Sequence, residues 1–284
     1  MQEEPRRVKI DDLPKVNGSR IAYMLYATDS RSVCNALITA SNLRQLGTPP
    51  HIPIVALVST SVEESVVEHL RKASIIVELV RPWRPKTSLL GLESSIWEES
   101  LTKLHIFEER GLDKVVYLDA DMYIHRNLDH LFNHDVSNGV LWAPTAYYTS
   151  QQPFFGSTLM IFAPSNAQLA KMLDRLKRPP HEKYFDMDVL NDIWTTVNYL
   201  PPHYVVLNSD LNSQKLFGFS NTTERIANTY ATHFSAKADG TYGKPWEMSR
   251  AAKLRTRAWA SPLFYKLFQL YWTAQDKNCP WIEG

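Results

Sequence analysis

The sequence predicts an α/β domain built on a largely parallel sheet, and three observations carry that prediction. Short apolar runs alternate with helix-spaced segments through the first 120 residues. The helix-spaced segments are bounded by helix stop and start signals. Polar residues gather just beyond two of the apolar runs, at 28–29 and 119–121, where open parallel sheets bind ligands. In order, residues 1–19 are a polar lead-in and 20–29 (RIAYMLYATD) a buried strand. Residues 32–47 place Val33, Ala36, Leu37, Ala40 and Leu43 on one helix face, with Gly47 as a stop. A second strand spans 52–60, and a helix over 61–73 opens with Ser61 three residues before Glu64, a capping-type start. A third strand covers 74–83. A helix over 94–111, closed by Gly111, leads into the strand before the aspartates. Beyond it the alternation loosens. Strands are expected over 139–147 and 154–165, helices over 166–178 and 186–197, and a loop and strand over 199–212.

Composition narrows the function classes. With 284 residues the chain suits one large domain or two small ones. Its 31 basic and 30 acidic residues leave a net charge of +1, which argues against a general nucleic-acid or membrane-surface field. Two distant cysteines, Cys34 and Cys279, are read as free thiols of a reducing compartment. The N-terminus lacks the apolar core of a signal peptide, and no run of apolar residues is long enough to span a membrane. A cytoplasmic protein is therefore expected. With ten glycines and no glycine-rich phosphate loop, any phosphate would have to be held by a metal ion or by basic side chains.

The most informative stretch is DKVVYLDADMYIHRNLDHLF, residues 113–132. Val115 to Leu118 run into Asp119, Ala120 and Asp121. On an extended chain residues i and i+2 share a face, so two carboxylates meet at a strand end. Such a pair repels unless a cation lies between them. Mg²⁺ or Mn²⁺ suits oxygen ligands and leaves positions for a diphosphate, and a histidine as third ligand would favour Mn²⁺. A phosphatase with Asp-x-Asp after a strand would want Thr or Val where Tyr123 stands.

Five blocks in order then resemble glycosyltransferase family 8, the glycogenin-like and especially fungal-type members: ATDSRSVCNAL, the long segment LTKLHIFEERGLDKVVYLDADMYIHRNLDHLF, FFGSTLMIFAPS, FDMDVLN, and LPPHY with HFS and GKPW. The resemblance covers roughly residues 20–246. It implies a single Rossmann-like nucleotide-sugar-binding domain of the A type (GT-A), with a mixed, mostly parallel central sheet and a helical C-terminal extension. Domain limits follow as 1–19, 20–249 and 250–284. It also implies a metal-dependent, retaining transfer of glucose, galactose or N-acetylglucosamine from a UDP-sugar to a glycan or glycoprotein hydroxyl. Asp119, Asp121 and His233 would hold the metal. Thr28, Asp29, Lys103, Ala120 and Lys244 would line the donor site, with Lys244 on the diphosphate, and Asp186 would lie near the transferred sugar.

The residues by themselves leave other readings open. His233 is otherwise a hydrogen-bonded core histidine, Lys244 a surface lysine, Lys103 a helix-surface charge beside Glu98 and Glu99, and Asp29 a helix cap. Asp188 either shares the work of Asp186, as a second catalytic carboxylate, or caps the following helix. The chain also departs from the family. Met187 stands where many relatives have Gln, and it cannot act as a nucleophile. Ser32 replaces the usual tyrosine of the first loop, and Gly156-Ser157-Thr158 replaces Asn-Ser-Gly. A catalytically weak relative that binds UDP-sugar or glycan and acts through protein contacts is the alternative. Phe264, Leu267, Phe268 and Tyr271 recur at helical spacing near the C-terminus; packing on the chain's own domain is the first reading, a homodimer contact the second, and membrane contact a distant third because the segment lacks a basic face.

Overall fold

A computed structural model describes residues 10, 13, 15–16, 18–83, 101–150, 153–181, 184–212, 220–247 and 260–282. Four parallel strands form the first half of the central sheet: β1 (Ile21–Ala27), β2 (Ile54–Ser59), β3 (Ile76–Val80) and β4 (Lys114–Leu118). The sheet continues through β6 (Leu141–Pro144), β7 (Leu159–Phe162) and β8 (Val197–Leu200), in the order β3-β2-β1-β4-β7-β6-β8. Strand β7 runs antiparallel to both β4 and β6, so the sheet is mixed and mostly parallel. The order reverses between β1 and β4, which makes the crevice beyond their carboxyl ends the natural ligand position.

Alternation along the strands divides the core between the two faces. Tyr23, Leu25, Val116 and Leu118 pack toward α1 (Ser30–Gln45), α2 (Glu64–Lys72) and the C-terminal helix. Ala22, Met24, Val115 and Tyr117 pack toward the turn Lys103–Phe107 and the helices α3 (Asn166–Leu176) and α4 (Asp186–Ile193). The helix expected over 94–111 falls partly outside the described residues. Its described end is a 3-10 turn at Lys103–Phe107, and Gly111 adopts φ 80°. Helix α2 starts at Glu64 without a side-chain cap. Ser61 instead contacts Ser59 Oγ at 2.6 Å and donates to the Thr28 carbonyl at 3.4 Å, tying the end of β2 to that of β1.

Two features were not anticipated. A small sheet of order β5-β10-β9 joins β5 (Met122–Ile124), β9 (Val205–Leu207) and β10 (Ala231–His233). Residues 199–212 therefore supply strands to two different sheets and a short helix, α5 (Asn208–Asn212). A further short helix is α6 (Thr222–Asn228). The cysteines also depart from expectation: Cys34 of α1 is disulfide-bonded to Cys279, 245 residues away, at the end of the C-terminal helix α7 (Pro262–Asn278). A sequence spacing this long says nothing about contact; α1 and α7 pack side by side, and that brings the sulfurs together. The free-thiol reading is thereby corrected, and the cysteines no longer support a reducing compartment. Phe264, Leu267, Phe268 and Tyr271 are all buried in the chain's own core, so they offer nothing to a second copy. Among the described residues no helix is long and apolar enough to cross a membrane.

Candidate active site

The Asp-Ala-Asp segment is a turn carrying the chain from the large sheet into the small one, not the tip of a single extended strand. Each of its residues is tied to a different element. The Asp119 amide donates to the Thr158 carbonyl before β7 at 2.8 Å, and Thr39 of α1 donates to the Ala120 carbonyl at 3.2 Å. The Asp121 carbonyl accepts from the Phe234 amide after β10 at 3.1 Å. Antiparallel pairing of β10 with β5 sets His233 opposite Met122, and so beside Asp121. Ligand atoms of Asp119, Asp121 and His233 all lie within 4.8 Å of one another.

Two lysines divide the site. Lys103, only 3% exposed, directs its ammonium to Asp119 Oδ1 at 3.0 Å, Asp186 Oδ2 at 3.0 Å and Ser157 Oγ at 3.1 Å. Burial disfavours that charge, yet Asp119 and Asp186 outweigh it and hold the lysine above its ordinary range. It is neither a helix-surface charge nor a free donor-site cation: protein acceptors take up its three protons. Ser157 in turn donates to Asp186 at 2.8 Å, and Tyr117 donates to Asp119. Burial pushes the Asp119 carboxyl up, only partly opposed by Lys103 and reinforced by Asp121.

The other half centres on Asp121. Lys244 donates to Asp121 Oδ2 at 2.7 Å, and His233 Nε2 lies 3.3 Å from the same oxygen. Burial works against this anion as well, but Lys244 and His233 prevail and hold it well below the usual carboxylate range. The preceding Gly243 has φ +142°, a backbone conformation that favours glycine in the turn that presents Lys244. Trp246 and Phe234 abut Tyr271 of α7, whose hydroxyl reaches Asn35 of α1 at 2.9 Å.

One cavity of about 780 Å³ takes in Thr28, Asp29, Lys103, Asp119, Ala120 and Asp121. Asp186, Asp188, His233 and Lys244 line it too, so the structure brings all ten sequence-predicted residues together. Their employment differs. Asp29 caps α1, its carboxylate accepting from the Ser32 amide at 2.6 Å while Ser32 Oγ accepts from the amides of Thr28 and Asp29. Asp188 accepts from the Phe185 amide at 2.9 Å and so secures the start of α4, whereas Asp186 joins the charged cluster. Ser32 leaves no aromatic ring at its own position, but Tyr26 and Trp246 line the cavity. Sequence reading missed Ser157 and Tyr117 as partners of the acidic cluster. A tyrosine in an apolar strand was the available signal, since its hydroxyl needs a partner when buried.

The acidic and imidazole set fits a divalent ion. Asp121 Oδ1 and His233 Nδ1 are buried without a hydrogen-bond partner among the described residues. Three carboxylates (119, 121 and 186) face two ammonium groups, leaving negative charge in excess. Two oxygens and one imidazole nitrogen form a donor set that Mn²⁺ or Mg²⁺ accepts.

Comparison with known proteins agrees with this geometry. No family model matches the chain. It is 24% identical over 271 residues to glucose N-acetyltransferase 1 of Aspergillus fumigatus, covering 86% of this chain and 69% of that one. It is 25% identical over 237 residues to glycogenin-1 of Caenorhabditis elegans, covering 81% and 52%. The galactosyltransferase LgtC, solved with donor and acceptor sugar analogs, superposes with a TM-score of 0.60 at 16% identity, covering 88% of this chain and 95% of that one. These likenesses support a reading of the chain as similar to the glycogenin-like glycosyltransferases of family 8. Its fold is the GT-A fold, shared also with the glycosyltransferase GlyE of Streptococcus pneumoniae at a TM-score of 0.57 and 15% identity, over 90% of this chain and 63% of that one. The chain spans between about half and about two thirds of the length of the curated relatives it matches.

Proposed function

We propose that this chain transfers a hexose from a UDP-sugar to a hydroxyl of a glycan or glycoprotein, with retention of anomeric configuration and dependence on Mn²⁺ or Mg²⁺. The observation that carries the reading is the convergence of Asp119, Asp121 and His233 within 4.8 Å at the switch point of the sheet, beside two lysines and Asp186. Asp119, Asp121 and His233 would hold the ion, which when bound neutralises charge on the departing diphosphate. Thr28 and the capped turn at Asp29 line the pocket for the uridine. Lys244, on its flexible stem, supplies a positive charge to the diphosphate.

Lys103 acts by position, holding Asp119 for the ion and Asp186 for the sugar at fixed separation. Asp186 orients the sugar or acceptor hydroxyls, and Asp188 supports it by securing the helix start. Met187, whose Sδ accepts from the Tyr148 hydroxyl at 3.7 Å, has no nucleophilic atom for a double displacement. A diphosphate oxygen of the leaving group is then the proton acceptor for the incoming hydroxyl. Residues 20–249 constitute the catalytic unit in this reading, with 250–284 bracing it through α7.

The test is a panel of UDP-sugars with Mn²⁺, scored for donor consumption with and without chelator. One donor should be consumed in a metal-dependent way, and Asp121→Ala should lower turnover at least about 100-fold. Near-normal turnover in that variant removes the metal from the mechanism. UDP binding without consumption of any donor would make the chain a binding relative.

A further inference from the structure

We propose that Lys244 is a resident counter-cation of the site, standing where the divalent ion binds until a diphosphate draws it away, so that ion and nucleotide enter together. This rests on Asp119, Asp121 and His233 being the metal ligands.

The geometry of the lysine is the starting point. Its Nζ lies 2.7 Å from Asp121 Oδ2, 3.4 Å from His233 Nε2 and 2.6 Å from the Phe234 carbonyl oxygen. An ammonium has three protons: Asp121 Oδ2 and the Phe234 carbonyl accept two, and His233 Nε2 accepts the third in the tautomer that carries the imidazole proton on Nδ1. Two of those acceptors are the atoms through which Asp121 and His233 approach each other, at 3.3 Å. An imidazole nitrogen has a single in-plane lone pair. It serves a proton, an N–H donor or a metal ion, one at a time. Lys244 and an ion held through Nε2 exclude one another at that atom, and they repel each other across one carboxylate oxygen.

The contrast with Lys103 shows which lysine can leave. Lys103 is 3% exposed and held by acceptors from three separate segments. Lys244 has a side chain 20% exposed and stands at the edge of the 780 Å³ cavity. Leaving costs it the Asp121 carboxylate, and a diphosphate in the cavity offers charged oxygens in exchange. The ion alone provides no such exchange, because it would evict the ammonium with nothing to receive it. Diphosphate alone gains the lysine but leaves Asp121 without its ammonium partner. Each ligand thus removes the other's cost, which is a positive coupling, and linkage makes it reciprocal.

Manganese alone is the probe, titrated into the chain with and without UDP and followed by loss of the free Mn²⁺ resonance signal. Wild type should bind Mn²⁺ weakly alone and more tightly with UDP. Lys244→Met should bind Mn²⁺ alone about 10-fold tighter than wild type, and UDP should enhance its binding by a correspondingly smaller factor. Lys244→Gln should repeat the result, which covers failure of the first variant to fold. Lys237→Met controls for loss of a nearby charge, since Lys237 makes no ion pair with Asp121, and should stay within about 2-fold of wild type. Wild-type affinity for Mn²⁺ alone in both Lys244 variants, with Mn²⁺ and UDP still binding together, overturns this proposal and leaves the proposed function standing. An equal gain in Lys237→Met also overturns it. Absence of Mn²⁺ binding by wild type even with UDP sinks both readings.

Discussion

The two halves of the charged cluster share a turn yet are built differently. Around Lys103 the charged and hydroxyl groups bond to one another: Asp119, Asp186, Ser157 and Tyr117 close on the ammonium and on each other. Around Lys244 two ligand residues keep buried atoms without hydrogen-bond partners, Asp121 Oδ1 and His233 Nδ1. A fully satisfied buried network rigidifies its surroundings, and a partly satisfied one is costly unless something arrives to complete it. The difference separates scaffold from working site. Lys103 holds carboxylates in place, and Asp121 and His233 are the residues proposed to take a metal ion.

The largest effect should come from removing the scaffold's cation. Lys103→Met leaves the half-buried Asp119 and Asp186 without their shared partner, and urea unfolding should show a loss of about 3–5 kcal/mol. Lys244→Met should cost markedly less. Equal losses would erase the distinction between the two halves.

Next in size is the disulfide. Cys279→Ser frees α7 from α1, releasing a closure of 245 residues, and should cost about 2–5 kcal/mol by the same measurement. Because Tyr271 of α7 touches Trp246 and bonds Asn35, this variant should weaken UDP binding at the Lys244 side before it unfolds. Unchanged UDP affinity would show that α7 braces neither half.

The third test lies behind the open side. His125 of the turn after β5 contacts Thr232 Oγ1 at 2.8 Å, and burial depresses its imidazole to about 4. It stays neutral in the folded chain, while the unfolded chain takes up a proton below about pH 6.5. Its contribution is therefore present above pH 6.5 and is lost as pH falls through 4, by up to about 3 kcal/mol. Stability measured from pH 7 to 4 should fall less steeply in His125→Gln. Parallel profiles would assign the acid sensitivity elsewhere.

The smallest effect is on the closed side. Ser157→Ala removes a donor to Asp186 and an acceptor for Lys103, at a cost of about 1–2 kcal/mol in urea unfolding. The turnover of this variant should drop further than its stability if Asp186 orients the sugar.

Much of the fold was legible before any coordinates. Strands β1, β2 and β4 are largely apolar runs, helix α2 shows one apolar face, and the elements come in order. Local periodicity suffices there because β1, β2 and β3 are neighbours in both sequence and sheet, and β4 returns beside β1. The second half was harder to read. Strands of three or four residues, such as β9 and β10, carry too few alternations to register, and they pair with partners far away in the sequence. Helix starts were also read loosely, because Ser61 and Asp29 have the same capping chemistry and only one of them caps.

The chain's own sequence determined the acidic pair after an apolar strand, the absence of a glycine-rich phosphate loop, and the residues gathered in the cavity. Tertiary structure alone decided how those residues are employed. It turned Lys103 inward as a fully bonded clamp, left Lys244 against Asp121 and His233, retired Asp188 to a helix start and joined Cys34 to Cys279. The physical reason is that residue type sets which bonds a side chain can make, whereas burial and the nearest partner, both products of long-range packing, set which one it does make.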